Sequence, residues 1–273
     1  MASQTCDFEL AQGEPAEPGL KRIARAQLDA ITAHLDRHDD RSVHEARKAF
    51  KRLRALVRLT RDQLGDEIRR RENAAFRDAG RQLSGARDAQ VLVETLDKLD
   101  PEAFAVLREA LAADAAGDPD TASVRAAVDE ARTRVDAWPL DEDSVTALAP
   151  GVARIQKRGR RAYRDAKKDP SAEHLHELRK RTKDLWHAAQ ILRADKLAKR
   201  AHKLADLLGD DHDLATLREA ADRHSEALTP DERERLEGLI ADRSKRLQRK
   251  ALRRASALYT VKPRKLSKIL TTG

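Results

Sequence analysis

Apolar residues recur along this chain on narrow stripes flanked by charge, the pattern of amphipathic helices rather than of strands. Between Val43 and Leu59, with His44 at zero and about 100° per residue, Phe50, Leu53, Leu56 and Val57 all fall between about 120° and 240°, on one face. Leu178, Leu185, Ala189 and Leu192 line the corresponding face of a later segment. Punctuation falls at Asp39-Asp40, Gly65, Asp100-Pro101, Gly117 to Pro119, Trp138-Pro139, Asp169-Pro170, Gly209 and Thr229-Pro230, which leaves roughly ten helical segments. Residues 1–18, with Gly13, Pro15 and Pro18, are expected to be a flexible lead-in. The stretch from Leu140 to Pro150 is the expected link between two halves.

Composition strengthens the all-α reading. Aromatics make up 3% of the 273 residues, with 11 Gly and 9 Pro, too few turn formers for a β-sandwich or barrel. The single cysteine, Cys6, makes neither an intrachain disulfide nor a zinc cluster. The first residues lack the basic start and apolar run of a signal peptide, so the cytoplasm is the expected location. No apolar run approaches the roughly 18 residues of a membrane span.

The net charge of +8 conceals a segregation. From Asp88 to Pro150 there are 15 acidic and 5 basic residues, a balance of −10. From Arg154 to Lys168, eight basic residues face only Asp165. After Asp242 no acidic side chain occurs, while Arg243 to Lys268 supply 11 cations. Positive charge concentrated in this way points to a polyanionic partner.

An internal repeat localises the chemistry. Residues 43–53 return 132 positions later as residues 175–185, and His44, Glu45, Arg47, Lys48, Lys51 and Leu53 recur as His176, Glu177, Arg179, Lys180, Lys183 and Leu185. At the same offset Gly19, Arg22 and Ile23 match Gly151, Arg154 and Ile155. At an offset of 125, Leu83, Arg87, Asp88 and Glu94 match Leu208, His212, Asp213 and Glu219. The chain reads as two halves, about 19–137 and 144–258.

Opposite the apolar face of the first copy runs a basic stripe. Arg47, Lys48, Lys51 and Arg58 lie within about 60° of His44, and the stripe rises about 21 Å. His176, Arg179, Lys180 and Lys183 repeat it, with His187 and Gln190 extending the same side. From His44 to Arg61 seven Lys or Arg face only Glu45, so the stripe lacks the usual i,i+4 carboxylates. Glu45 has a local role available, closing a capping box with Ser42 as N-cap. Two such stripes turned toward each other would repel, and a bound polyanion is the natural compensation.

The paired His-Glu-x-Arg-Lys-x-x-Lys motifs, each followed by a Leu-x-x-x-(Arg/His)-Asp element, resemble the CHAD domain, the conserved histidine α-helical domain, over about residues 19–260. The resemblance implies two pseudo-symmetric four-helix bundles from an internal duplication, with a central basic channel or cleft that binds inorganic polyphosphate. It also implies association with polyphosphate granules or, in some lineages, polyhydroxyalkanoate granules. Carried onto matching positions, the ligand-facing set is His44, Arg47, Lys48, Lys51, His176, Arg179, Lys180 and Lys183, joined by Arg87 and His212. Arg54 and Arg58 lie at the edge of the first stripe, and Arg22, Arg154 and Lys157 are weaker additions on the opening helix of each half. Two departures stand out: Ser84 replaces the glycine kept at Gly209, and Asp184-Leu185-Trp186 replaces Arg52-Leu53-Arg54, which predicts a less basic second wall. Eighteen leading residues are too few for the triphosphate tunnel domain that many family members carry, so a stand-alone binder is expected. Residues 261–273 are expected to be a basic C-terminal tail.

The ligand suits the residues. Polyphosphate offers about one charge per phosphate and no bases to read, so a line of charge-assisted donors suffices. Arginine grips phosphate oxygens bidentately, and lysine acts as a point charge. Histidines in this field should lose protons readily when the site is empty, so binding is expected to tighten toward pH 6.

Catalysis is not expected. The His-Glu pairs lack the second histidine of a metalloprotease, since Lys48 and Lys180 stand there. The glycines at 80 and 85 have P-loop spacing without its lysine or a preceding strand. His34 and His38 are read as surface histidines rather than a metal pair. Asp210, Asp211 and Asp213 are read as a capped helix start rather than a divalent-ion site; Asp88 and Asp213 are assigned structural roles. No cofactor is implied. The alternative is a nonspecific nucleic-acid binder using the basic run from Arg243 to Lys268, although only Tyr259 there could stack on a base.

Overall fold

The structure is a computed structural model that describes residues 8–37, 40–83, 86–114, 120–140 and 145–272. Among these residues there are eleven α-helices and no strand. In chain order they are α1 (Ala16–Leu35), α2 (Asp40–Leu59), α3 (Arg61–Gln82), α4 (Ala86–Asp97), α5 (Ala105–Ala113) and α6 (Thr121–Asp136), followed by α7 (Ala149–Lys168), α8 (Ala172–Ile191), α9 (Asp195–Arg223), α10 (Pro230–Tyr259) and α11 (Pro263–Thr271). Side chains cap α8 and α10. Ser171 accepts the His174 N–H at the start of α8, and Thr229 with Glu232 closes a capping box on α10.

Helices α1, α2, α3 and α6 pack together, as do α7, α8, α9 and α10, with α11 laid on α7. The two sets meet through α2, which touches both α8 and α7. One apolar cluster runs through both sets. A second joins α4 and α5, through Leu96, Phe104 and Leu107, to Leu217 of α9 and Ile240 of α10. The α2–α7 approach explains Gly151: a Cβ there would lie 2.0 Å from the Leu59 carbonyl oxygen, which a backbone cannot yield to. The expected break at Gly65 is a kink inside α3, with the glycine at φ 71°.

Several expectations are corrected. The lead-in is not flexible from Phe8 onward: Phe8 and Leu10 are buried in the core, Leu10 N–H donates to the Ile191 carbonyl at 2.9 Å, and α1 starts at Ala16. Two buried apolar side chains, together with Arg22 on Glu14 and the Glu9 carbonyl, fix a segment read mainly from its Gly and Pro. Residues 263–271 are likewise no tail, because Leu266 and Thr271 bury α11 against α7. Helix α9 passes unbroken through Gly209, so Asp210 and Asp211 lie inside a helix rather than at its start. Asp211 is instead buried and accepts from Ser244, at 2.5 Å, and from Gln248 of α10. Helix α2 begins at Asp40, so Ser42 lies within it, and Glu45 takes Lys48 at 2.7 Å.

Candidate basic site between helices α2, α8 and α9

The two motif copies lie on α2 and α8, which pack against each other. Phe50, Leu53, Leu56 and Val57 on one helix, and Leu178, Leu185 and Ala189 on the other, are buried as their spacing predicts. Leu192, just past α8, is partly buried. The basic faces are thereby set by the core.

On the second copy the cations and histidines are close. The rings of His176 on α8 and His212 on α9 are 4.5 Å apart and tilted by 45°. Arg179 lies beside Gly209, where a Cβ would be 3.6 Å from its Nε, so the glycine leaves room for the guanidinium. Arg179 Nε and His176 Nδ1 are both buried without a hydrogen-bond partner among the described residues. Burial pushes the Arg179 guanidinium down against the pull of Asp213. Burial also lowers His176, helped by His212, Lys180 and Arg179, and lowers His212, helped by Arg179 and Lys183.

Lys183 joins the two copies. Its ammonium is pushed down to about 8 by burial and then by the like charges of Arg179 and of Lys51, which comes from α2, against Asp213 and Asp206. On α2, His44 and Arg47 are half-buried and Lys51 is exposed.

Other predicted residues are engaged. Lys48 pairs with Glu45 and Lys180 with Glu177, each at 2.7 Å, so the stripes are partly neutralised rather than bare. Glu177 also accepts from Arg181 at 2.6 Å; against the opposing effect of burial, these bonds hold its carboxyl down at about 2. Arg58 reaches across to Asp184 of α8 at 2.8 Å, and Asp184 also takes Arg181 at 2.8 Å. Arg54 donates to Asn73 at 3.2 Å and is lowered by burial and by neighbouring Arg58, Arg77 and Arg81. Arg22 is held by Glu14, at 2.7 and 2.8 Å, and by the Glu9 carbonyl, so it anchors the N-terminal segment. Arg154 is held by Asp62. Lys157 is exposed on α7, and no hydrogen bond or ion pair ties it to the cluster among the described residues. The Arg87 and Asp88 side chains lie outside the described residues.

Sequence reasoning placed His187 on the stripe, and the structure buries it. His187 stacks on Trp186 at 4.7 Å, meets Phe8 edge-on at 5.6 Å, and has its Nδ1 3.1 Å from Gln190 Oε1. Burial drops it to about 3. The approach of Arg77 and Arg81 to Arg54 was missed; their i,i+4 spacing on α3 was the available signal. The bridging role of Asp184 was missed as well, although the substitution itself was visible.

Among the described residues no helix is long and apolar enough to cross a membrane. A family model described as the CHAD domain matches residues 22–222. Among solved structures the chain is similar to the crystal structure of the CHAD domain from the plant Ricinus communis, at 18% identity and a TM-score of 0.67, covering 96% of this chain and 97% of that one. A search of curated proteins gave no match. The repeat motifs on facing helices, the all-α architecture and the family match over most of the length lead to one conclusion: the chain belongs to the CHAD domain family.

Proposed function

We propose that this protein binds inorganic polyphosphate in a basic cleft formed by α2, α8 and α9, and that it does so without turning the chain over. The family is associated with polyphosphate binding in general. The observation that carries the reading is Lys183, a half-buried ammonium held beside Arg179 of its own helix and Lys51 of the other copy. Cations gathered from two helices at this cost call for an anion that spans both. Arg179 and His176 each offer a buried nitrogen that a phosphate oxygen could accept from. The halves would then act as two walls of one cleft, and granule association would follow from the ligand.

A competition titration of polyphosphate, duplex DNA and single-stranded RNA at two salt concentrations tests the proposal. Polyphosphate should win, and Arg47→Ala with Arg179→Ala should remove the preference. No phosphate should be released. Equal competition by DNA would defeat the reading.

A further inference from the structure

Helix α10 changes character along its length. Its N-terminal half is neutralised from outside, Arg233 by Asp222 at 3.6 Å and Arg235 by Asp100. From Arg243 to Arg254 seven exposed or nearly exposed cations follow, and none lies within ion-pairing distance of a carboxylate among the described residues. Some surface arginines elsewhere are matched, as in Arg25 with Asp136 and Arg125 with Asp36, while exposed Arg81, Arg164 and Arg200 have no ion pair among the described residues; the α10 stretch differs in running seven such cations together. The unmatched stretch is the part of α10 that follows the last acidic residue of the chain, Asp242.

This stretch also borders a concavity. Lys250, Arg253 and Arg254 of α10 face Lys203 of α9 across a cavity of about 320 Å³ with Leu207 among its lining residues. Asp206 and Asp210 line the α9 side, so the favourable wall for an anion is that of α10. A groove between two packed helices admits one slender chain of phosphates, whereas a duplex could only rest on its rim. The groove lies close to the basic cleft. Helix α9 turns His212 and Gly209 toward α8 and Lys203 and Asp210 toward the groove, and Asp206 is felt by Lys183 in the cleft. The two lines of cations are thus separated by about one helix diameter, on the order of 10 Å.

We infer that the α9–α10 groove is a second contact for the same polyphosphate chain, so that affinity rises with chain length once a chain can reach both. The inference rests on polyphosphate being the ligand of the cleft. A chain held in the cleft presents its free end to the groove at high effective concentration, and the second contact multiplies affinity without altering the first.

The test compares tripolyphosphate with long-chain polyphosphate on the full chain, using Lys250→Ala/Arg253→Ala/Arg254→Ala and a charge-matched control, Lys245→Ala/Arg249→Ala/Lys265→Ala. Circular dichroism confirms that each variant is folded. The groove variant should weaken long-chain binding by about tenfold or more while leaving tripolyphosphate within about twofold, and the control should change long-chain binding far less. Equal losses in both variants would mean a diffuse field and overturn the groove. Loss of duplex DNA binding in the groove variant, with long-chain polyphosphate unchanged, would make this face a nucleic-acid surface and also overturn it. If the unmodified protein binds no polyphosphate of either length, the proposed function falls and the groove with it.

Discussion

The two copies of the motif begin alike and end differently. In both, a lysine one turn into the motif is matched by the glutamate three residues before it, at the same 2.7 Å. Beyond that point α2 carries Arg54 and Arg58, with Arg77 and Arg81 of α3 nearby. At the repeat-related places the second copy carries Trp186 and Gln190 with His202 and Asp206. Trp186 stacks on His202 at 4.2 Å, and His202 is 2.9 Å from Asp206. The first copy therefore continues as guanidinium and the second closes as a packed aromatic stack. Asp184 widens the contrast, because it stands where the first copy has Arg52 and draws Arg58 across to itself. A count of cations thus overstates the charge available to a ligand.

The largest expected change comes from removing that asymmetry. Asp184→Asn frees Arg58, whereas Arg181 keeps Glu177, and a guanidinium returned to the cleft should tighten polyphosphate binding by about tenfold. Stability should fall at the same time, because two guanidiniums lose a nearly buried carboxylate. Titration and thermal melting of one variant measure both. Unchanged affinity would place Arg58 outside the ligand's reach.

A smaller, few-fold effect should follow pH. His176 and His212 sit below their ordinary value through burial and neighbouring positive charge. A bound polyanion opposes that charge, so the complex takes up protons that the empty site releases, and affinity rises as pH falls from 8 to 6. Lys183, at about 8, adds the same sign near the upper end. His176→Gln with His212→Gln should flatten the lower part of the profile, while Lys183→Arg should flatten only the upper part. A profile unchanged by either substitution would remove these groups from the site.

Much of this was legible in the sequence. Helical periodicity identified the buried faces of α2 and α8, the repeat paired Lys51 with Lys183, and the family resemblance put His176 and His212 in one set. What was not legible depends on contacts between distant segments. Phe8 lies under Arg52, 5.5 Å from the ring centroid, and against His187, and nothing near residue 8 announces those partners. Arg22 and Arg154 match in sequence yet meet different carboxylates, Glu14 and Asp62. Gly209 punctuated the sequence but serves as space beside Arg179 within a continuous helix. Periodicity reports which face is buried, whereas the neutralisation of a cation is decided by whatever packs beside it.

The central claim is that both copies build a single site. Calorimetric titration with tripolyphosphate of the unmodified protein, Arg47→Ala and Arg179→Ala tests it most directly. The account predicts one site per chain, weakened as a whole by either substitution. Two sites per chain, with each substitution weakening one and sparing the other, would contradict it.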